Sequence, residues 1–204
     1  MTPDLATVHG SPVLVWRLAT PLLAISSGPL GGGIGLRAWV LNATVPDGYD
    51  RHDPDVHLAE LAAGLGLAGE GTGFLTAVDV REVEHRSEGG VHASVTTGVG
   101  AHPTWAAAPA AVAQDAPGTI NVVCFSPVRL SPAALVNAVA TIAEAKAQAL
   151  AEAGVPGTGT STDATAVLCP PAGRPEPFGG PRSPIGAALA RVVHSAVSAA
   201  LRSR

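Results

Sequence analysis

GTINVVCFSPVRLSPAALVNAVATIAEAKAQALAEAG, Gly118 to Gly154, decides the fold. Ile120 to Phe125 is a continuous β-favouring run, the pattern of a strand covered on both faces. Ser131-Pro132 then opens a helix, with the serine as cap and the proline at the first helical position. Gly154 closes it. Leu135, Val139, Ile142 and Ala149 fall along one face of that helix, and Asn137, Thr141, Glu144 and Gln148 along another. A buried strand feeding a long helix is the unit of a layered α/β domain.

Outward from this unit the same alternation continues. Val13 to Leu18 and Leu22 to Ser26 read as short strands, with Thr20-Pro21 as a break. Gly28 to Gly35 reads as a glycine-rich loop, and Arg37 to Val45 as a strand ending at Pro46. Asp53-Pro54 starts a helix that should reach about Leu65, with Asp53 as its cap. Phe74 to Glu84 and Val91 to Val99 are strand-like, joined by the turn Ser87-Glu88-Gly89-Gly90 as a hairpin. Trp105 to Pro117 is rich in Ala and Pro and reads as irregular. Ala164 to Leu168 is a short buried strand, Pro170 to Pro184 a proline-rich loop, and Pro184 to Leu201 a final Ala-rich helix. The expected architecture is α/β (or α+β), with mixed β-sheet packed by about three helices in a single domain, residues 1–204.

Composition narrows the function. Apolar residues make up 47% of the chain, enough for a sizeable core. Aromatic residues are only 3%, too few for base-stacking platforms, and a net charge of −4 leaves no basic footprint for nucleic acid. Leu18 to Leu36 is free of charge for 19 residues, but Pro21, Pro29 and Gly31-Gly32-Gly33 interrupt it, so it does not read as a membrane helix. The N-terminus lacks a basic region followed by an apolar core, so no signal peptide is read. Cys124 and Cys169 sit inside apolar runs and read as buried, reduced thiols. A cytoplasmic protein with no membrane or nucleic-acid partner fits all of this; a homo-oligomer stays open.

Several clusters carry chemical potential. Thr158-Gly-Thr-Ser-Thr-Asp163 sets four hydroxyls and a carboxylate between a helix and a buried strand, where they act as nucleophile and base or simply satisfy a turn. Thr119 leads the buried strand and is either a structural first residue or a nucleophile. Asn121, two residues on, shares its face, and its amide is placed to donate to a developing oxyanion. Lys146 returns to the apolar face of its helix, as a snorkelling side chain or a directed cation; Glu144 points elsewhere. The glycine loop lacks the Lys-Ser/Thr pair of a phosphate loop. His52 and His57, with Asp53 and Asp55 between, come near a metal-helix spacing but lack an obvious third ligand, and His85, His92, His102 and His194 form no pattern.

The motifs occur in an order that resembles the adenosylcobinamide amidohydrolase family, from roughly Ala24 to Val197. SSGPLGGGIGLRAWVLNATVP carries Ser26, Ser27, Gly32, Gly33 and Asn42 of that pattern, and GTGFLTAVDV carries its Gly-x-x-Thr-Ala-x-x-Val segment with Thr76. GTIN, ALVNAV and EAKAQAL resemble the core block, GTGTSTDA the signature that follows, and FGGPRSPIG the last one. The resemblance implies an enzyme of corrinoid salvage. It would hydrolyse adenosylcobinamide to aminopropanol and adenosylcobyric acid, which re-enters coenzyme B12 synthesis. A fainter likeness, confined to the Gly118-Thr119 block, is to the self-processing β-aminopeptidase and ornithine acetyltransferase type; the continuous chain gives self-cleavage no support.

On this reading Thr119 or Ser161 is the nucleophile and Asp163 or Glu144 the base. Asn42 and Asn121 orient the amide or donate to the oxyanion, and Gly32 and Gly33 let the backbone approach the flat corrin. Ser26, Ser27, Thr76, Lys146, Thr160 and Thr162 complete the expected substrate-binding set, with no metal and no cofactor. The alternatives are a corrinoid-binding protein without hydrolysis and an amidohydrolase of another ligand. Hydrolysis is expected to need no added metal, because no Cys/His cluster has ligand spacing. Loss of turnover with a chelator, restored by one divalent ion, would make His52, His57 and Asp53 the first ligands to examine.

Overall fold

The computed structural model describes residues 1–100, 103–107 and 118–203. The strands are β1 (Asp4–Val8), β2 (Ser11–Ser26), β3 (Gly33–Thr44), β4 (Gly71–Thr76), β5 (Glu84–Glu88), β6 (Val91–Gly98), β7 (Thr119–Phe125) and β8 (Ala164–Cys169). The helices are α1 (Pro54–Gly64), α2 (Pro132–Glu152) and α3 (Pro184–Arg202), with one 3₁₀ turn at Val80–Glu82. Most of the irregular stretch expected up to Pro117, and His102, lie outside the described residues.

All strands join one mixed sheet in the order β4-β3-β2-β8-β7-β6-β5, with β1 also beside β2. The 16-residue β2 is long enough to carry β3 along one edge and two partners along the other. Ser11–Val15 pair with β1, and Leu23–Ser26 pair with β8. The β3–β4 and β7–β8 pairs are parallel. This is the α/β layered fold with three helices that the sequence predicts.

Side-chain alternation divides the core into three parts. Ile120, Val122 and Cys124 of β7 pack with α2 and α3. Val13, Val15, Trp39 and Leu41 pack under α1. Between these lies a third cluster in which Val40 of β3 and Phe74 of β4 join Val123 and Phe125 of β7. Two strands, β2 and β8, separate β3 from β7 in the sheet. The sheet therefore curls until one face meets itself, leaving α1 outside one half and α2 with α3 outside the other.

Several local expectations change. Val13–Leu18 and Leu22–Ser26 are one strand: Leu18 to Pro21 oppose only Ala38, so Pro21 sits in a bulge and needs no ladder donor. The strand β1 was not expected. Phe74–Glu84 is not a single strand but the end of β4, the 3₁₀ turn and the start of β5. The hairpin joins β5 to β6 around Gly89-Gly90, whose positive φ values of 56° and 82° suit a two-residue turn. Asp53 is the cap residue of α1 but makes no capping bond, because Arg51 takes both its carboxylate oxygens at 2.8 Å. Thr141 leaves the polar face of α2 for the core, where its hydroxyl donates to Gly179 O at 2.9 Å.

Both cysteines are free and buried, as expected, and burial pushes the Cys124 and Cys169 thiols up. Among the described residues one helix, α3, is long and apolar enough to cross a membrane. Eight of its residues are buried, and six of these belong to the core cluster with α2 and β6.

The glycine-rich loop has a structural task. It crosses the free edge of β4, where Gly73 N donates to Leu30 O at 3.1 Å and the Thr72 hydroxyl donates to the same oxygen at 3.0 Å. Gly31 has φ +66°, and a methyl group there would overlap the Gly71 carbonyl oxygen. Gly33 has φ +84° but open space around it. Gly33→Ala should therefore cost only the left-handed strain, about 1–2 kcal/mol. Gly31→Ala should cost more, adding an overpacking penalty of about 1–3 kcal/mol. Urea unfolding checks this; equal midpoints for the two variants would refute the edge-packing account.

Candidate active site

Because β7 and β8 run parallel, their leading ends lie side by side, with Asn121 opposite Ala164. That register brings Thr119, at the start of β7, against the loop that precedes β8. The Thr119 and Thr162 hydroxyl oxygens are 2.7 Å apart. Thr162 Oγ1 also donates to Gly118 O at 3.0 Å. With its one proton spent there, Thr162 accepts the proton of Thr119 in the 2.7 Å contact.

Asp163 holds the loop in place. Its Oδ1 accepts from Ile120 N at 2.9 Å and from Thr160 Oγ1 at 2.5 Å. Its Oδ2 accepts from Thr160 N at 3.1 Å and pairs with Lys146 Nζ. A carboxylate has about four lone-pair positions, and four donors occupy them. Lys146 is thus the directed cation rather than the snorkelling one. Asp163, expected as a base, acts here as the clamp between β7, the loop and α2.

The curl of the sheet supplies the rest. Thr119, Asn121 and Thr162 share one cavity of about 320 Å³ with Phe74, Leu75 and Thr76 of the β4 segment. The cavity's far rim is the turn-rich segment after β3, including Pro46 and Tyr49. Tyr49 was not picked out by sequence reasoning, although it is the chain's single tyrosine and sits in a conspicuous loop. Its hydroxyl lies 2.9 Å from His57 Nδ1 and the two rings stack. Burial raises the Tyr49 phenol above its ordinary range and lowers His57, which Arg51 nearby lowers further.

Asn121 is 1% exposed. Its amide nitrogen donates to Asn42 Oδ1 at 2.9 Å and to Leu75 O at 3.0 Å. Asn42 in turn donates to Thr96 Oγ1 at 3.0 Å. Both N–H bonds of Asn121 are therefore committed, and neither is left for the oxyanion role that its residue type suggested. Its carbonyl oxygen is buried without a hydrogen-bond partner among the described residues.

The other expected residues lie elsewhere or serve structure. Ser161 is exposed and outside the cavity lining. Glu144 is exposed on α2, about 200° around the helix from Lys146. Ser26 bonds Thr72 Oγ1 at 2.7 Å and caps Gly28 N, and Ser27 Oγ accepts from Thr165 N at 3.0 Å. Thr76 lines the cavity while its hydroxyl accepts from Val78 N at 3.1 Å. Gly32 and Gly33 are exposed and not in the lining; of the glycine-rich loop only Pro29 reaches it. Among the described residues, no group of three or more His, Cys, Asp or Glu side chains stands close enough to hold a metal ion.

A hydroxyl pair lining a cavity and held by a clamped loop is a geometry compatible with acyl-transfer chemistry. Comparison with known proteins gives the family. The family model described as adenosylcobinamide amidohydrolase matches residues 2–204, and the chain belongs to that family. A Methanosarcina mazei protein named adenosylcobinamide amidohydrolase is 30% identical over 190 residues, 89% of this chain and 90% of that protein. A Halobacterium salinarum protein of the same name is 48% identical over 89 residues, 43% of this chain and 38% of that protein. In fold, the chain is similar to the crystal structure of the PH0078 protein from Pyrococcus horikoshii. That match has a TM-score of 0.51 and 11% identity, covering 97% of this chain and 78% of the other.

The clamp generates a prediction. Lys146→Met removes one partner of an ion pair whose side chains are each only 15% exposed. Loss of one partner from a buried pair costs roughly 3–5 kcal/mol. A fall of that order in urea stability is expected, and a variant as stable as the parent would show that the clamp holds nothing.

Proposed function

We propose that this protein hydrolyses the amide joining aminopropanol to adenosylcobinamide, releasing adenosylcobyric acid for re-use in coenzyme B12 synthesis. The observation that carries the reading is the Thr119–Thr162 hydroxyl pair in the cavity lining. Family membership supplies the substrate. Pockets that enclose a drug-sized ligand run from about 300 to 1,000 Å³. A cavity of about 320 Å³ is at the lower end, suited to the amide-bearing arm and not to a whole corrinoid. The arm enters, and the macrocycle stays across the mouth.

In this scheme Thr119 Oγ1 adds to the amide carbonyl carbon. Its proton passes to Thr162 Oγ1, while the Thr162 proton swings from Gly118 O to the leaving nitrogen. The C–N bond breaks and aminopropanol departs as the neutral amine. Water then adds to the Thr119 ester, the C–O bond breaks, and the acid and the Thr119 hydroxyl are regenerated. Thr162 is exposed, so the water that hydrolyses the ester reaches the hydroxyl pair from solvent. Asp163 takes no proton; it fixes Ile120 and Thr160, and so the spacing of the two threonines.

Incubation with adenosylcobinamide and mass analysis tests the activity. Tight corrinoid binding with unchanged substrate mass would favour a binding protein. Thr119→Ala is expected to lower turnover at least about 100-fold, the scale of a lost catalytic group, with the fold intact. Ser161→Ala should leave turnover near that of the parent. The opposite pattern would move the nucleophile to the loop before β8.

A further inference from the structure

We propose that Asn121 Oδ1 accepts a hydrogen bond from the N–H of the amide being cleaved, so that the site reads its substrate as a secondary amide. The inference rests on the hydrolase reading above. Its ground is an orphan: Asn121 Oδ1 is buried and has no hydrogen-bond partner among the described residues. Such an acceptor costs free energy until a donor reaches it.

The orientation of the side chain is fixed. Asn121 Nδ2 faces the Leu75 backbone carbonyl at 3.0 Å, which only a donor can do. Turning the amide over would set Oδ1 against that carbonyl and break the bond to Asn42 Oδ1 as well. The oxygen is therefore an acceptor held in one direction by a buried network that reaches Thr96. It needs a neutral donor from the ligand, and Asn121 belongs to the cavity lining.

Thr119 and Asn121 are two residues apart on β7 and share a face, a spacing of about 7 Å. That backbone spacing leaves room for one amide between the two side chains: an attack distance of about 3 Å, a C–N bond of about 1.3 Å and an N–H···O bond of about 2.9 Å, bent at carbon and at nitrogen, set the attacking oxygen and the acceptor about 5 Å apart. The atom directly bonded to the attacked carbon is the amide nitrogen, so its N–H is the donor that fits. The aminopropanol hydroxyl is several bonds further away. Asn121 thus sets the direction of the scissile bond, and its recognition distinguishes N–H from an ester oxygen, whose lone pairs would oppose Oδ1.

The test crosses two substrates with two proteins. Adenosylcobinamide is compared with the analogue in which an ester oxygen replaces the amide N–H and the rest of the arm, including its hydroxyl, is kept. The amide-to-ester ratio of kcat/KM should fall about 10- to 100-fold in Asn121→Ala, the scale of one buried acceptor losing its donor. Equal losses on both substrates would make Asn121 a scaffold residue and overturn the inference. If wild type hydrolyses neither compound, the hydrolase reading fails. Equilibrium binding of the same pair to the wild type and the variant then decides: amide preferred by wild type alone supports the inference, equal preference sinks it, and no binding sinks both. If Asn121→Ala does not fold, wild-type binding still decides, because wild type that holds the ester as tightly as the amide overturns the proposal.

Discussion

The four-donor grip on Asp163 is the constraint on which the site depends. One carboxylate gathers a β7 backbone N–H, two groups of Thr160 and the ammonium of α2. Three segments distant in sequence are thereby held in register at the leading ends of two parallel strands. A partly screened charge needs this many partners, since removing it from water is repaid only when its lone pairs are filled. The hydroxyl pair of Thr119 and Thr162 is a by-product of that register: Thr119 precedes Ile120, whose N–H Asp163 accepts, and Thr162 precedes Asp163 itself. The carboxylate sits one bond network behind the chemistry.

The curl of the sheet does the complementary work. An open sheet would leave Asn42 and Asn121 on a broad face, two strands apart and unable to bond. Closing that face on itself buries Val40, Phe74, Val123 and Phe125 together and brings the two carboxamides within 2.9 Å. The same closure sets Leu75 and Thr76 opposite Thr119, so the cavity exists only because the sheet returns on itself.

Local signals were legible in the sequence where burial and capping coincide. The β7–α2 unit follows from a run of five apolar residues interrupted only by Asn121, a Ser-Pro start and a glycine stop; Ser131 does cap the helix, accepting from Ala134 N at 3.1 Å. The resemblance singled out the blocks that carry Thr119, Thr162 and Asp163, and the fold brings these blocks together. Their division of labour was not legible, because a carboxylate beside hydroxyls reads as a base until its lone pairs are counted in space. Asn121 likewise reads as a donor until Leu75, 46 residues earlier, is seen to consume its amide hydrogen. Thr141 looked polar along the helix because its acceptor, Gly179, lies 38 residues away. The bulge at Pro21 mimicked a strand break, since proline removes a donor in either case.

The glycine-rich loop also bears on how copies of this chain meet. This sheet has three outer strands, β4, β5 and β1, and unpaired backbone there invites another chain to add on. At β4 the loop itself occupies the ladder positions. At β5 the strand carries Glu84, Arg86 and Glu88, with Glu88 held by Arg191 of α3 and Arg86 bonded to Glu84. The β4 border is sealed by the chain's own backbone and the β5 border by charge. Growth by strand addition is hindered at β4 and β5, which leaves β1, paired among the described residues only with β2, as the border still open to another strand.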